Sequence, residues 1–180
     1  NDERCCGHDA LWCGDHTTFR KLAEWNLDVI KSSGAKKVLF SCPEGYITFK
    51  QYYPKYFGEL PFEVLHMTEF LARELPKTGL SFQTSLPETV TYHDPCRLGR
   101  LAGIYAPPRK LLEMLPETRL VEMERIRENA LCCGTSAWME CSRYSKAIQN
   151  ERLQEAFLTG AQTLITACPK CQIHFACAQQ

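Results

Sequence analysis

The chain has 180 residues, 44% of them hydrophobic, and its 21 basic and 21 acidic side chains cancel to a formal charge of zero. This length suits one domain, or two small similar ones, with a real core. A balanced charge without a basic run gives no sign of a nucleic-acid or anionic-lipid partner, and no apolar run approaches the roughly 20 residues of a membrane span.

Cysteine is abundant, with 11 residues. Because the N-terminus lacks the layout of a signal peptide, we expect a cytoplasmic protein in which disulfides are not the default. Metal binding or redox catalysis is then the expected use of the thiols. The chain begins at Asn1, close to a Cys-Cys pair, which favours a fragment of a longer polypeptide.

Helical patterns and short apolar runs alternate along the chain. A first helix is predicted over residues 17–33, with Thr17 or Thr18 as its N-cap. There follow a strand at 37–40, a strand at 62–65, a helix at 67–75, a strand at 89–92, a helix at 107–115, a strand at 120–123, a helix at 144–157 and a strand at 163–166. The helix at 144–157 is predicted to present an apolar face of Tyr144, Ile148, Leu153, Ala156 and Phe157.

The chain also repeats itself. "CCGHDALWCGD" leading to "SSGAKKVLFSCPEG" is matched by "CCGTSAWMECS" leading to "LTGAQTLITACPKC", at an offset of 126 to 127 positions. Alternating strands and helices in two copies predict an α/β fold of two tandem Rossmann-like βαβ units with parallel sheets. We expect a first repeat over residues 1–80 and a complete second repeat over 86–180.

Five cysteines of the second copy fall at one predicted sheet edge. Cys96 and Cys168 each follow a predicted strand, where ligands bind in open α/β sheets. Cys132 and Cys133 occupy the loop after another predicted strand, and Cys171 completes a CxxC segment that leads into a helix. Soft thiolate ligands select iron–sulfur clusters, zinc or Cu(I), so the pattern predicts a metal centre.

The adjacent pair bears on the kind of metal. Successive side chains of an extended segment point apart, so Cys132 and Cys133 suit a cluster of several metals better than one small ion. Two alternatives remain open on the residues alone. One is a tetrahedral zinc site that uses four of the five cysteines, and the other is a set of unrelated buried cysteines.

The spacing Cys96-x35-Cys132-Cys133-Gly134-x33-Cys168-x2-Cys171, with "TYHDPCRLGR" and "VEMERIRENALCCG", resembles the cysteine-rich CCG domain of heterodisulfide reductase catalytic subunits. Subunits of sulfite-reduction complexes are related to these. The resemblance implies a non-cubane [4Fe-4S] cluster held by Cys96, Cys132, Cys133, Cys168 and Cys171.

The resemblance also implies a function. We expect an iron–sulfur oxidoreductase that reduces or forms a disulfide or trisulfide of a thiol cofactor or a sulfur-carrier protein, with Cys132 and Cys133 at the reacting centre. The alternative is an electron-transfer module between a flavin or ferredoxin-type partner and a quinone-linked membrane cytochrome subunit, which could bring the chain to a membrane. Further clusters are expected in an N-terminal region beyond this sequence.

The first copy departs from the pattern. Cys5, Cys6 and Cys42 are present, but Gly45 stands at the position that matches Cys171, and the match to Cys96 would precede Asn1. We expect this site to have decayed into scaffold. The alternative is that an upstream segment supplies a different ligand set.

Several other residues near the motif are candidates for a role at the site. His93 in "HDPC" is a candidate catalytic residue that donates a proton or tunes the cluster, or else a structural histidine. Asp94 is expected to cap the turn before Cys96. Gly99 and Gly134 are expected to let the backbone approach a bulky inorganic ligand, and Cys141 is near enough to Cys133 to line the site.

Overall fold

The computed structural model describes residues 2–82, 85–135 and 142–178. The chain forms two compact units, one that ends at Met67 and one that begins at Thr68. The repeats predicted over 1–80 and 86–180 divide the chain further along, and that division stays a prediction.

The first unit wraps helices around a two-stranded sheet. Its elements are α1 (His8–Trp12), α2 (His16–Ser33), β1 (Lys37–Phe40), α3 (Pro43–Ile47), a π-helical turn (Thr48–Tyr52), α4 (Tyr53–Phe57) and β2 (Glu63–His66). β1 and β2 pair in parallel, from Lys37 with Glu63 to Phe40 with His66. Buried aromatic rings form the core, with the ring centres of Phe49 and Tyr53 4.0 Å apart.

The second unit contains a three-stranded sheet. Its elements are α5 (Met67–Thr78), β3 (Thr89–His93), α6 (Ala106–Glu113), β4 (Arg119–Leu120), a 3₁₀ turn (Arg127–Asn129), α7 (Arg143–Leu158), β5 (Thr163–Thr166) and α8 (Pro169–Cys177). β3 lies between β4 and β5 and is parallel to both. Val90 to His93 are buried along β3, as expected of a central parallel strand.

The two parallel sheets with their helices confirm the predicted α/β class. The strand predicted at 62–65 runs from Glu63 to His66, and the strand predicted at 120–123 is shorter and begins earlier, as Arg119–Leu120. Val121 still donates its N–H to Val90 O at 2.8 Å, after which the chain leaves the sheet.

The N-cap of α2 differs from the prediction. Asp15, and neither Thr17 nor Thr18, caps this helix, because its carboxylate accepts the N–H of Thr18 at 3.0 Å. An N-cap side chain bonds to a backbone N–H in the first turn, so the cap stands ahead of the threonines that it serves.

The predicted apolar face of α7 is only partly correct, because Ala156 is buried and Leu153 packs against the buried cysteines but the other three residues are exposed. Tyr144 is 67% exposed and Phe157 is 77% exposed. The buried residues of α7 are instead mostly polar, namely Ser145, Gln149, Arg152, Glu155 and Ala156. Their spacing of three to four residues is that of one helix face, so this helix turns polar side chains toward the interior of its unit.

None of the described helices is both long and apolar enough to cross a membrane.

Candidate metal centre

The carboxyl edge of the second sheet carries the cysteines of the predicted centre. β3 and β5 are parallel, with His93 beside Thr166 at their ends, so the segments that follow both strands leave from the same edge. Cys96 follows β3, and Cys168 follows β5 as the N-cap residue of α8. Cys132 and Cys133 reach the edge in the loop beyond β4.

The five thiol groups meet there. Side-chain hydrogen bonds connect Cys96 to Cys132, Cys132 to Cys133, Cys133 to Cys171 and Cys171 to Cys168. Cys133, Cys168 and Cys171 are buried together with Phe175, and Cys132 packs against them. Each of the five is a reduced thiol. The structure therefore brings together all of the cysteines that the spacing selects.

This crowding raises the pKa of three of the thiols, namely Cys96, Cys133 and Cys171. The hydrogen bond with Cys132, and then burial, raise the pKa of Cys96. The bond with Cys132 raises the pKa of Cys133 to about 11. Bonds with Cys133 and Cys168, followed by burial, raise the pKa of Cys171. Thiolates so close together repel one another. A bound metal cation offsets this repulsion and so allows several neighbouring thiols to ionise.

The start of α8 explains why the CPKC segment suits this site. Cys168 has an extended conformation, and Pro169 occupies the first turn of the helix, where its missing N–H costs nothing. One helical turn then brings Cys171 back beside Cys168. The free N–H groups of the first turn, with the helix dipole, would stabilise the negative charge of thiolates that bind a metal there.

His93 lies at the same edge. Its ring is fully buried, and one of its nitrogens lies within 4.8 Å of both the Cys133 and the Cys171 sulfur atoms. The ring meets Phe175 edge to face, with centres 4.9 Å apart. Burial, and next the positive charge of Arg152, lower the pKa of His93 to about 3, so the imidazole is neutral at neutral pH.

Gly134 and Gly99 lie tightly against protein atoms, and their approach to an inorganic ligand stays a prediction. Gly134 has φ +101°, and a Cβ there would lie 2.5 Å from the backbone oxygen of Ser145 in α7. A Cβ at Gly99 would lie 2.6 Å from the Tyr105 ring. Gly134 therefore packs the Cys132–Cys133 loop directly on α7.

Asp94 anchors a buried ion pair and does not cap the turn before Cys96 as expected. Its carboxylate accepts two hydrogen bonds from Arg109, at 2.8 and 2.9 Å, and a third from the backbone N–H of Arg127 at 2.8 Å. Arg109 also binds Glu122. The network ties the end of β3 to α6 and to the loop that leads to Cys132.

The polar face of α7, which lies behind the cysteines, was not predicted from the sequence. Arg152 is fully buried and donates to His93, while Gln149 donates to the backbone oxygen of His174 in α8. The spacing of residues 145, 149 and 152 could have indicated a single helix face. Polar residues at that spacing, however, normally lie on the solvent side.

The first unit gathers fewer thiols. The side chains of Cys5 and Cys6 form a hydrogen bond. Cys42 lies close enough to Cys6 to raise the pKa of Cys6. A Cβ at Gly45 would lie 2.9 Å from the ring of Phe40, so an aromatic side chain occupies the space of a Cys171 equivalent. No role was predicted for His8, yet His8, Asp9 and Glu44 form a second group of possible metal ligands in this unit. Cys141 lies outside the described residues.

Comparison with known proteins identifies the family to which this chain belongs. The sequence profile of the CCG cysteine-rich domain family matches residues 1–50 and 90–176. The chain belongs to this family, as its resemblance predicts, and the two matched segments agree with a duplicated unit.

Three curated relatives show where such domains occur. The chain is 38% identical to a subunit of the dihydromethanophenazine:CoB–CoM heterodisulfide reductase of Methanosarcina acetivorans, over 95% of this chain and 43% of the relative. It is 38% identical to the probable iron-sulfur-binding oxidoreductase FadF of Bacillus subtilis, over 95% and 24%. It is 32% identical to the EtfAB:quinone oxidoreductase of Syntrophomonas wolfei, over 94% and 25%. The chain thus spans less than half the length of each.

Proposed function

We propose that this chain is the cluster-binding part of an iron–sulfur oxidoreductase of the heterodisulfide reductase type. The observation that carries the proposal is the convergence of five thiols at one sheet edge. The names of the relatives, a heterodisulfide reductase subunit and an iron-sulfur-binding oxidoreductase, support it.

The donor set fits a cluster with several irons. Five sulfur atoms exceed the four ligands of an ordinary zinc site, and soft thiolates are the usual ligands of iron–sulfur clusters. The adjacent Cys132 and Cys133 both belong to the group, which suits a centre with several metal atoms. In this proposal Cys96, Cys132, Cys133, Cys168 and Cys171 hold a non-cubane [4Fe-4S] cluster.

The proposed reaction is the reduction of a disulfide, or its reverse. Breaking one S–S bond takes up two electrons and two protons and gives two thiols. When bound, the cluster supplies electrons one at a time, which thiol exchange alone cannot do. The chain's own residues hold the cluster sulfurs, bury them beneath Phe175 and place His93, the candidate catalytic histidine, beside Cys133 and Cys171.

The proposed partners are other subunits of a redox complex. Flavin or ferredoxin-type subunits would deliver the electrons, and a thiol cofactor or a sulfur-carrier protein would bring the disulfide. The word "subunit" in one relative's name and "quinone" in another's support such a complex, with membrane association through a partner. α7 leaves Phe157 and Leu158 largely exposed, as a surface for a partner chain would be.

The test is anaerobic purification of the full-length protein with its partners, followed by iron and sulfide analysis. We expect a brown protein in which about four of the iron atoms belong to this cluster. Cys171→Ala should lose those irons and their paramagnetic signal. Cys177→Ala, which removes an exposed thiol from the same helix, should keep both. A colourless protein with one zinc would overturn the proposal.

The same preparation separates the enzyme from the electron-transfer module. A cluster that reacts with a disulfide or thiol must change its paramagnetic spectrum when that compound is added. A spectrum that ignores thiols and disulfides, in a protein that still passes electrons to a quinone, would favour the module.

A further inference from the structure

A buried arginine fixes the tautomer of His93. The Arg152 side chain is fully buried, and its Nε donates a hydrogen bond to Nδ1 of His93 at 3.1 Å. An arginine nitrogen can only donate, so Nδ1 must present a lone pair. A neutral imidazole carries its one proton on the other nitrogen, which places it on Nε2 of His93.

This tautomer decides how His93 can interact with the neighbouring cysteines. Nε2 is buried and has no hydrogen-bond partner among the residues that the structure describes. Because Nε2 carries the proton and Nδ1 accepts from Arg152, neither nitrogen has a lone pair left for a metal. His93 is therefore an N–H donor beside the sulfur atoms of Cys133 and Cys171, which lie within 4.8 Å of a ring nitrogen.

The arginine is itself held in place on several sides. Its Nη1 donates to Glu155 at 2.8 Å and to the backbone oxygen of Arg125 at 2.9 Å. Glu155 in turn accepts the backbone N–H of Arg125. The guanidinium is thus anchored to α7 and to the loop ahead of Cys132, so its hydrogen bond to His93 is preorganised.

We propose that Arg152 is a positioning residue for the cluster: it holds His93 as the Nε2–H tautomer, which donates a hydrogen bond to a cluster thiolate and raises the reduction potential of the cluster. This inference rests on the proposed function. Five thiolates give a centre more negative charge than four, and hydrogen bonds to sulfur offset that charge in favour of the reduced state.

The test uses the purified holoprotein and the double variant Arg152→Met with Glu155→Gln, which leaves no buried carboxylate without its cation. At a fixed applied potential we expect the ratio of reduced to oxidised cluster to fall about tenfold, which is the effect of losing one hydrogen bond. A tenfold change corresponds to a shift of about 59 mV in the potential of a one-electron couple. Arg152→Lys, which restores a donor, should recover part of the shift. An unchanged potential in the fully iron-loaded double variant would overturn the inference.

A second measurement begins with the protein of natural sequence. Pulsed paramagnetic resonance of protein labelled with ¹⁵N-histidine, in H₂O and D₂O, should show a histidine nitrogen and an exchangeable proton coupled to the cluster. His93→Phe should lose both couplings. A cluster that is present but shows no such coupling overturns the role of Arg152 and His93, whereas a protein without any iron overturns the proposed function.

Discussion

At the scale of single residues, the arrangement of the five cysteines depends on a glycine that has no reactive side chain. Gly134 has a left-handed backbone and lies against Ser145 in α7, so it sets how closely the Cys132–Cys133 loop packs on the helix. A side chain at this position must displace backbone atoms, which are the least able to move. The glycine of the CCG triplet therefore acts on the site through packing.

We predict that Gly134→Ala destabilises the protein by about 3 kcal/mol, since it combines backbone strain with a 2.5 Å approach of Cβ to Ser145 O. The bound iron should fall with it. Gly160→Ala is the matched control, because Gly160 has φ +71° but nothing within 4 Å of its Cβ position. That change should cost only about 1 kcal/mol and keep the iron. Urea unfolding and iron analysis measure both, and equal losses would argue against packing as the cause.

At the scale of elements, α7 supports the site through its polar face. Glu155 connects this helix to the loop before the Cys-Cys pair, because it accepts the backbone N–H of Arg125 and pairs with Arg152. Burial alone would raise the pKa of Glu155, but the hydrogen bonds from Arg125 and Arg152 outweigh it and lower the pKa below the usual 4.5. Its ionised form therefore stabilises the fold.

We predict a pH-dependent effect of Glu155→Gln. Because the pKa of Glu155 is lower in the folded than in the unfolded protein, its stabilisation is fully present above about pH 4.5 and is lost as the pH falls through the folded value. The variant should lose about 3 kcal/mol at pH 7, where Arg152 keeps its charge without a partner, and less at pH 4. Urea unfolding at both pH values measures this, and a loss that does not depend on pH would contradict it.

At the scale of the whole molecule, equivalent positions of the two repeats are buried with different chemistry. Phe19, Ala23 and Asn26 of α2 precede Ser145, Gln149 and Arg152 of α7 by 126 positions, and all six of these positions are buried. In the first unit Asn26 binds the backbone of Arg4 and Cys5, so it anchors the first Cys-Cys segment. In the second unit the same positions are also buried, but they hold polar side chains that support the segments carrying the cysteines.

We predict that only the second unit holds the proposed cluster. Cys42→Ala should keep the iron, because the first unit has Gly45 in place of the last cysteine and the Phe40 ring beside it. Cys168→Ala, at the equivalent position of the second repeat, should lose the iron. Iron per chain in the two variants checks this directly, and equal loss would point to a centre in the first unit as well.

The sequence by itself determined which thiols could form the site, the repeat and the α/β class. Spacing along the chain carries that information, because a cysteine that follows a parallel strand must lie at the carboxyl edge of the sheet. The short apolar runs at β1 and β5 likewise predicted strands, although neither strand is fully buried in the structure.

Only the tertiary structure decided how that edge is supported. The direction of the polar face of α7, the contact of Arg152 with His93 and the bonds of Asp94 with Arg109 all depend on which elements meet in space. A buried polar side chain is stable only where partners from other segments complete its hydrogen bonds, and the order of residues does not reveal those partners. For this reason Tyr144 and Phe157, which read as core, lie at the surface, and Arg152 lies inside.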